Sequence, residues 1–324
     1  MNKFKKVGQS YTAYVIDMGV SLRVAEMLTK VRRALASRYL FDNWLSLLIK
    51  YVLTRLGFNV KLIAKVGDCT FELSPEVFRC LTNRASRKLV KLSCTNGELY
   101  VNGGRYGEYH GAWVYDKSCN CYVRNNVRFK QIYWTIYQVF DCGEYEPSNA
   151  EGRVVVDVGA YIGDSAIYFA LKGARKVIAI EPHPGAYAEM LDNIKLNNME
   201  NVIIPTNAGL ASKPGKTCIK NVDVNIANVI YHRLGDCPDA IPATTFSELI
   251  SRFGVDPNNA VLKMDCEGCE FDIILNDYEH VRLFRELILE YHSNVNKLLK
   301  VLSRDYECNV RGGEDLGIMH CIKK

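Results

Sequence analysis

The stretch Val154–Glu181, VVVDVGAYIGDSAIYFALKGARKVIAIE, constrains the fold of this chain more than any other part of the sequence. Its first five residues are four valines and an acid, a nearly continuous apolar run that predicts a buried strand. Gly159 and Gly163 then flank a tight turn, and a helical pattern follows over Ser165–Leu171. A second apolar strand is predicted over Lys176–Ile180. A strand, a helix and a second strand in this order predict a βαβ unit of a parallel sheet.

The same alternation continues towards the end of the chain. The predicted elements are a helix over Ala186–Asn197, a strand over Val202–Ile204, a helix over Thr245–Phe253, a strand over Ala260–Met264, a helix from about Glu270, a strand over Glu286–Glu290 and a helix over Val295–Ser303. Strands that are apolar along their whole length are typical of a parallel sheet with helices on both faces. The predicted fold is therefore α/β, a doubly wound, mostly parallel, Rossmann-like sheet.

The apolar residues in the first half of the chain follow other spacings. Leu, Val and Met recur at three- and four-residue spacing over Ser21–Tyr39 and Asn43–Leu56, which predicts two helices. Over Asn59–Val127 the apolar period changes to two, which predicts a small antiparallel sheet. A third helix, Phe129–Phe140, is apolar nearly all round, so we expect it to be buried between this sheet and the second half of the chain.

We expect two domains. Glu144–Gly152 has the composition of a linker. Residues 1–128 are predicted to form a smaller helical and antiparallel β domain, a candidate for substrate recognition. Residues 129–324 are predicted to form the ligand-binding α/β domain.

The loop after the first buried strand, D-V-G-A-Y-I-G, indicates what the α/β domain binds. A dinucleotide site needs G-x-G-x-x-G so that a pyrophosphate can sit on the helix start, whereas this loop has two glycines preceded by Asp157. An acid here suits a ligand with a cationic group, and S-adenosylmethionine carries an ammonium and a sulfonium. Glu181 lies where doubly wound folds accept hydrogen bonds from ribose hydroxyls. Two glycines alone would also fit an ordinary strand–helix turn, but together these features predict a nucleoside site.

Four ordered blocks carry a family resemblance: VVVDVGAYIGDSAIYFA, GARKVIAIEPHPGAYAEMLDNIKLNN, VLKMDCEGCEFDIIL and LILEYHSN. Over Gly152–Tyr306 the chain resembles the FkbM-type, class I S-adenosylmethionine-dependent methyltransferases. The resemblance implies the class I methyltransferase sheet and methyl transfer, often to an oxygen of a sugar, a glycolipid or a small metabolite.

The resemblance also implies cofactor contacts. They are Asp157, Gly159, Tyr161 and Gly163 around the methionine part, Glu181 on the ribose, and Asn207 and Ala208 near the adenine. An Asn-Ala pair after a strand is also a common turn.

Acidic residues and a histidine follow two later strands and are the candidate catalytic groups. Asp265, Glu267 and Glu270 follow the strand Ala260–Met264, at the strand end where open α/β sheets bind ligands. They would also fit a helix N-terminus, where acids are favourable. His292 follows another strand, and its ordinary pKa of about 6.5 suits removal of a hydroxyl proton, although a strand-end histidine often only makes hydrogen bonds. We assign Asp265, Glu267 and His292 as catalytic and expect no metal, since no HxxH or HExxH spacing is present.

A group of aromatic residues in the front half offers a weaker candidate for acceptor recognition. It comprises Tyr106, Tyr109, Trp113 and Tyr115, interleaved with Arg105 and His110. Aromatic rings stack on sugars and bases, but they are also common in the cores of small sheets, which we favour here.

Charge and cysteine content limit the partners and the compartment. Residues 1–150 hold 22 Lys and Arg against 12 Asp and Glu, and residues 151–324 hold 19 against 24. The front positive charges are scattered, so nucleic acid is not favoured as a partner. Twelve cysteines at irregular spacing are interpreted as small buried thiols, with intracellular disulfides left open and structural zinc at Cys266 and Cys269 not favoured.

The sequence predicts neither a membrane-spanning helix nor a signal peptide. The most apolar stretch, Trp44–Leu56, has 13 residues and contains Lys50 and Arg55, too short and too charged to span a bilayer. No signal-peptide pattern follows the first lysines, so we expect a cytoplasmic protein.

The sequence therefore predicts an S-adenosylmethionine-dependent methyltransferase acting on a hydroxyl oxygen of a small-molecule or glycan acceptor. Two alternatives stay open. One is an RNA methyltransferase that uses the basic front half. The other is a non-catalytic module that binds S-adenosylmethionine.

Overall fold

The structure of this chain is a computed structural model that describes residue 28 and residues 30–106, 113–146, 148–219, 232–234 and 240–324. Residues 30–36 are helical and lead into a 3₁₀ turn at Ser37–Tyr39. The elements of the front half, in chain order, are α1 (Trp44–Arg55), β1 (Leu62–Val66), β2 (Cys69–Leu73), α2 (Pro75–Ser86), β3 (Leu92–Thr95), β4 (Glu98–Val101), β5 (Gly104–Arg105), β6 (Val114–Asp116), β7 (Cys121–Arg124), β8 (Val127–Phe129) and α3 (Trp134–Phe140).

The strands of the front half form three small antiparallel groups. β1 pairs with β2, β4 lies between β3 and β5, and β7 lies between β6 and β8. The sequence predicts one small antiparallel sheet here and misses α2. A local signal for α2 is present, since Ser74 caps the helix by accepting a hydrogen bond from Val77 N, and Pro75 occupies the first turn.

The second half of the chain forms a large mixed sheet with helices. Its elements are β9 (Val154–Val158), α4 (Asp164–Leu171), β10 (Lys176–Ile180), α5 (Pro184–Leu196), β11 (Ile203–Thr206), β12 (Gly209–Leu210), β13 (Gly215–Ile219), β14 (His232–Leu234), β15 (Ile241–Thr244), α6 (Phe246–Phe253), β16 (Ala260–Met264), α7 (Cys269–Asn276), α8 (Tyr278–Val281), β17 (Glu286–Tyr291), α9 (Val295–Leu302), β18 (Tyr306–Gly312) and β19 (Gly317–Lys323). A 3₁₀ turn, Pro257–Asn259, precedes β16.

Seven strands form the main sheet in the order β11-β10-β9-β16-β17-β19-β18. The first five are parallel, while β19 runs antiparallel to both of its neighbours. Strand order reverses at β9, where one arm of the sheet continues through β10 and the other through β16. Such a reversal opens a crevice at the carboxyl ends of the two central strands. The predicted Rossmann-like, mostly parallel sheet is confirmed, and the antiparallel β18–β19 hairpin at its edge is an addition that the sequence patterns did not indicate.

The main sheet has an apolar core on each face. Side chains alternate between the faces along a strand, so Val154, Val156 and Val158 of β9 pack into one core and Val155 packs into the other. Both faces are covered, which is why β9 reads as an apolar run without alternation. A separate cluster in the front half packs α1 and α2 against the small strands.

The segment expected to be a linker is packed into the fold. Tyr145 is buried with 2% of its surface exposed, and Glu144 is buried in an ion pair with Arg84 of α2. Glu146 pairs with Lys172, just after α4. These contacts join the front elements to the main sheet. The domain division at residue 128 stays a prediction.

The cysteines form disulfides, so the interpretation as unpaired thiols is wrong. Bonds join Cys69 to Cys94, Cys80 to Cys142, Cys119 to Cys121, Cys266 to Cys269 and Cys308 to Cys321, and Cys218 is also disulfide-bonded. Sequence spacing did not reveal these pairs because the fold sets most of them; Cys80 and Cys142 are separated by 62 residues. Disulfides persist in oxidising compartments and in the intracellular proteins of hyperthermophiles. In other organisms they do not favour the predicted cytoplasmic location.

Within the part of the chain that the structure describes, no helix has both the length and the apolar character needed to cross a bilayer.

Candidate functional site

A cavity of about 320 Å³ lies at the carboxyl ends of β9, β10, β16 and β17. Residues of the main sheet line one side, and residues of α2 and α3 line the other. From the main sheet and its loops the lining includes Gly159, Tyr161, Asp164, Ser165, Glu181, Lys263, Asp265, Cys266, Glu267, Glu290 and His292. The crevice expected from the reversal of strand order is thus the place where Glu181 and the three predicted catalytic residues meet.

Gly159 allows the loop after β9 to touch the loop after β16. Its φ is +75°, and a Cβ at this position would lie 1.9 Å from the carbonyl oxygen of Asp265. Only glycine fits such an approach in this conformation. The space that Gly159 leaves free is therefore filled by the backbone of Asp265. Gly163 (φ +85°) is the N-cap residue just before α4, and a Cβ there would meet the side chain of Met190.

Glu181 is buried beside the cavity and held by two backbone donors. Tyr161 N donates to its Oε2 at 2.8 Å, and His183 N donates to its Oε1 at 2.7 Å. Burial raises the pKa of Glu181 to about 7, against the lowering effect of these two hydrogen bonds. Each carboxylate oxygen keeps a lone pair with which it can accept a further hydrogen bond.

Asp164, the first residue of α4, is a second buried carboxylate on the cavity wall, with 3% of its surface exposed. Burial raises its pKa to about 6, although a hydrogen bond from Thr135 and the charge of Lys263 lower it. The ion pairs of the described residues include none that involves Asp164.

Asp157 lies beneath the cavity and does not line it. Its Oδ1 is 2.9 Å from Lys263 Nζ, and its Oδ2 accepts a hydrogen bond from Ser165 Oγ at 2.7 Å. The ammonium of Lys263 also donates to the carbonyl oxygen of Gly159 at 2.7 Å. Burial lowers the pKa of Lys263, but the charges of Asp157 and Asp265 outweigh this effect and raise it. This placement makes Asp157 a support of the glycine loop, whereas the sequence predicts a direct cofactor contact.

Asp265, Glu267 and His292, which we call the carboxylate–histidine cluster, lie together on the cavity wall. His292 Nε2 is 3.5 Å from Glu267 Oε2 and 4.0 Å from Asp265 Oδ1. The other ring nitrogen, Nδ1, is 3.3 Å from Oε1 of the buried Glu270. The three predicted catalytic residues are therefore adjacent, although 27 positions separate Asp265 from His292 in the sequence.

The carboxylates change the titration of the cluster. Burial raises the pKa of Glu267, His292 lowers it and the charges of Asp265 and Glu270 raise it, with a net pKa of about 7. Burial lowers the pKa of His292, but the hydrogen bond with Glu270 and the surrounding carboxylates raise it to about 10. The imidazole is therefore charged at neutral pH, in contrast to the ordinary pKa assumed from the sequence.

The loop that carries the cluster is closed by a disulfide. Cys266 and Cys269 are bonded, and Glu267 lies between them with a φ of 54°. This φ is in the left-handed region, which is rare for residues other than glycine and costs backbone energy. The bridge and the start of α7 hold Glu267 in this conformation.

The opposite wall of the cavity was not predicted from the sequence. It includes Asn83 and Arg87 from the end of α2, and Trp134 and Gln138 from α3. The capping signal at Ser74 would have located α2, but no local pattern shows that this helix faces the crevice.

The predicted aromatic group lies elsewhere. The ring of Trp113 packs edge-on against Phe129 and beneath the guanidinium of Arg124, and Tyr115 is exposed. Neither lines the cavity, nor does Tyr106. Tyr109 and His110 lie outside the described residues. The structural interpretation favoured from the sequence fits this placement of Trp113.

Asn207 and Ala208 line a separate cavity with residues of β15 and α6. Asn207 is nevertheless connected to the main site, because its Nδ2 donates to the carbonyl oxygen of Glu181 at 2.9 Å.

A known protein family matches the second half of this chain. The sequence model described as the Methyltransferase FkbM domain matches residues 157–308. Residues 157–308, slightly less than half of the chain, therefore resemble an FkbM methyltransferase domain. The family resemblance predicted from the sequence is thereby confirmed over these residues. This FkbM domain contains Glu181 and the carboxylate–histidine cluster, whereas α2 and α3 precede it.

Individual relatives match shorter stretches. Ribosomal protein L11 methyltransferase of Carboxydothermus hydrogenoformans is 40% identical over 79 residues, which are 24% of this chain and 25% of that protein. The chain thus spans about a quarter of that curated relative. Among solved structures, it is similar to a methyltransferase FkbM from Methylobacillus flagellatus KT, with 16% identity, a TM-score of 0.38, and coverage of 52% of this chain and 43% of that one. It is also similar to an O-methyltransferase from Bacillus cereus in complex with SAH, with 10% identity, a TM-score of 0.34, and coverage of 53% and 74%.

Proposed function

We propose that this chain transfers a methyl group from S-adenosylmethionine to a hydroxyl oxygen of a small-molecule or glycan acceptor. One observation carries the proposal. A single cavity is bordered by Glu181, a buried acid placed to bind a ribose, and by the carboxylate–histidine cluster, and both lie within residues 157–308. A cofactor site and a group of proton acceptors therefore share one enclosed space.

The residues on the cofactor side fit S-adenosylmethionine. The carboxylate of Glu181 is fixed by Tyr161 and His183 backbone donors and retains acceptor capacity for ribose hydroxyls. Asp164 is a buried carboxylate without an ion-pair partner among the described residues, and an ammonium group would compensate its charge. Gly159 and Tyr161 border the same space. Asp157 would act indirectly, by holding Lys263 against the Gly159 carbonyl.

The carboxylate–histidine cluster would position the acceptor. When bound, S-adenosylmethionine supplies a methyl group on a sulfonium, which is already a good leaving group. The task left to the chain is to hold the acceptor hydroxyl in line and to take up its proton. Asp265 and Glu267 offer carboxylate oxygens for that hydroxyl, and His292 fixes their arrangement by lying between them.

The front elements would select the acceptor. Asn83, Arg87 and Gln138 provide amide and guanidinium groups on the wall opposite the cluster, and Trp134 provides a ring. Amides and an aromatic ring suit a polyhydroxylated molecule, since they offer hydrogen bonds and a stacking face. This role replaces the aromatic group that the sequence offered for acceptor recognition.

Calorimetric titration of the full chain with S-adenosylhomocysteine tests the cofactor site. We expect saturable binding, no binding of NAD, and a loss of affinity of about tenfold or more in Glu181→Ala, because that side chain would hold the ribose. Glu279→Ala, which removes an exposed carboxylate of α8, is the matched control. Binding of NAD without binding of the sulfur nucleoside would refute the proposal.

A second measurement separates chemistry from cofactor binding. Asp265→Asn and His292→Ala should keep their affinity for S-adenosylhomocysteine, while turnover of an identified acceptor falls by roughly 10² or more, because the first removes a carboxylate that would take up the proton and the second removes the side chain that holds it in place. If both folded variants keep full turnover, the cluster has only a structural role. Cofactor binding without turnover of any acceptor would favour a non-catalytic module.

A further inference from the structure

The carboxylate–histidine cluster has the donor set and the spacing of a metal site. One ligand atom each from Asp265, Glu267 and His292 can be chosen so that all three lie within 4.8 Å of one another. The two distances from His292 Nε2 are 3.5 Å and 4.0 Å. Ligands at ~2.1 Å from a common ion are ~3.0 Å apart when adjacent and ~4.2 Å apart when opposite. Both distances from His292 Nε2 fall within that range.

Buried neighbours orient two of these three side chains towards the same point. Glu270, with 0% of its surface exposed, lies 3.3 Å from His292 Nδ1, which leaves Nε2 facing the acids. Tyr145, also buried, donates from its hydroxyl to Asp265 Oδ2 at 3.2 Å, which leaves Oδ1 facing His292. Histidines that bind metals typically donate their second N–H to a carboxylate in this way. The cluster is therefore a supported arrangement of donors and not a group of acids on a surface.

The charges around the cluster favour a cation. His292 is surrounded by the carboxylates of Asp265, Glu267, Glu270 and Glu290. Two buried cations on the same cavity are engaged elsewhere, Lys263 with Asp157 and Arg84 with Glu144. Arg84 approaches Glu290 only to 3.8 Å. Four carboxylates thus surround a single imidazole, and repulsion among them falls when a divalent ion is bound.

We propose that Asp265, Glu267 and His292 bind one divalent cation of the Mg²⁺ and Mn²⁺ class, which displaces the proton on Nε2 of His292 into solvent. Two carboxylate oxygens favour these oxygen-seeking ions, and the imidazole nitrogen favours Mn²⁺ of the two. Three protein ligands leave further coordination positions open towards the cavity. An acceptor oxygen held there would have the pKa of its hydroxyl lowered by the ion. That role rests on the proposed function, whereas binding of the ion does not.

Titration of the oxidised full chain with MnCl₂ tests the site, by calorimetry and by the electron paramagnetic resonance signal of free Mn²⁺. The titration omits reductant so that Cys266 and Cys269, which with Glu270 form another group with metal-ligand spacing, stay in their disulfide. We expect one saturable site. Asp265→Asn and His292→Gln should each weaken it on the order of tenfold or more.

Two further variants define the site. Glu270→Gln should weaken Mn²⁺ binding about 10- to 100-fold through the orientation of His292, the range seen when the hydrogen-bond partner of a ligand is lost. Asp272→Asn is the matched control, because this acid lies on the same helix, α7, but binds Ser212 outside the cluster. Its affinity for Mn²⁺ should equal that of the parent.

Absence of saturable Mn²⁺ binding by the parent at millimolar concentration would overturn the cation site, as would equal affinity in the parent, Asp265→Asn and His292→Gln. The same samples are titrated with S-adenosylhomocysteine. A chain that binds this nucleoside but not Mn²⁺ refutes the cation site and leaves the proposed function standing. Binding of Mn²⁺ without the nucleoside refutes the proposed function and supports the cation site.

Discussion

Replacement of Lys263 by methionine should destabilise the protein more than replacement of any surface lysine. Lys263 and Asp157 are buried, with 1% and 0% of their side chains exposed, and their charged atoms are 2.9 Å apart. Methionine would fill much of the same volume but would leave the Asp157 carboxylate without a counter-charge. The Gly159 carbonyl would also lose the donor that now lies at 2.7 Å.

Loss of one partner from a buried ion pair costs about 3–5 kcal/mol, because the other charge stays desolvated. At about 2–4 °C of melting temperature per kcal/mol, we expect a decrease of about 6–20 °C. The double variant Lys263→Met with Asp157→Asn removes both charges, and the asparagine can still bond with Ser165. It should recover at least half of the lost stability.

Differential scanning calorimetry measures these effects. Lys61→Met is the matched control, since its ammonium pairs with Glu72 at 2.9 Å but keeps 75% of its side chain exposed. Exposed pairs contribute about 0–1 kcal/mol, so this variant should melt close to the parent. The reasoning is refuted if Lys263→Met costs no more than the control, or if adding Asp157→Asn lowers the melting temperature further.

Two further predictions concern pH and disulfides. The pKa of Glu181 is raised to about 7, so its ionised, hydrogen-bond-accepting form is lost as the pH falls through that value. The affinity for S-adenosylhomocysteine should therefore fall about tenfold from pH 8 to pH 6. A calorimetric titration in which Glu181→Gln keeps the same pH dependence would contradict this assignment. Cys80→Ser opens a disulfide that spans 62 residues and should lower the free energy of unfolding by about 4 kcal/mol in urea denaturation, against about 3 kcal/mol for Cys308→Ser, whose bond spans 13 residues. A larger loss in Cys308→Ser would show that loop length does not set the effect.

One side of the candidate site could be predicted from residue patterns, and the other could not. The glycine loop, Glu181 and the acids after β16 were found because each lies beside a strand whose sequence is recognisable, and parallel strands bring their carboxyl ends to one edge. The second wall of the cavity was not found. Asn83 and Trp134 reach it through the packing of α2 and α3 on the main sheet, and no local pattern encodes that packing.

The parts of the fold that depend on local burial could be predicted from the sequence. Strands β9, β10 and β16 have the predicted bounds, because a strand covered on both faces must be apolar at every position. The predicted helices of the second half agree with the structure to within two residues at most of their ends, since their apolar period follows from the helical turn.

Which residues far apart in the sequence come into contact depends on the tertiary structure. It joined Cys80 to Cys142, paired Lys263 with Asp157 and placed His292 between Asp265 and Glu267. The physical reason is that a side chain's pKa, its ion pairs and its disulfide depend on neighbours that the chain brings together from far along its length. Local periodicity carries information about burial and about helix or strand, but it carries none about those neighbours.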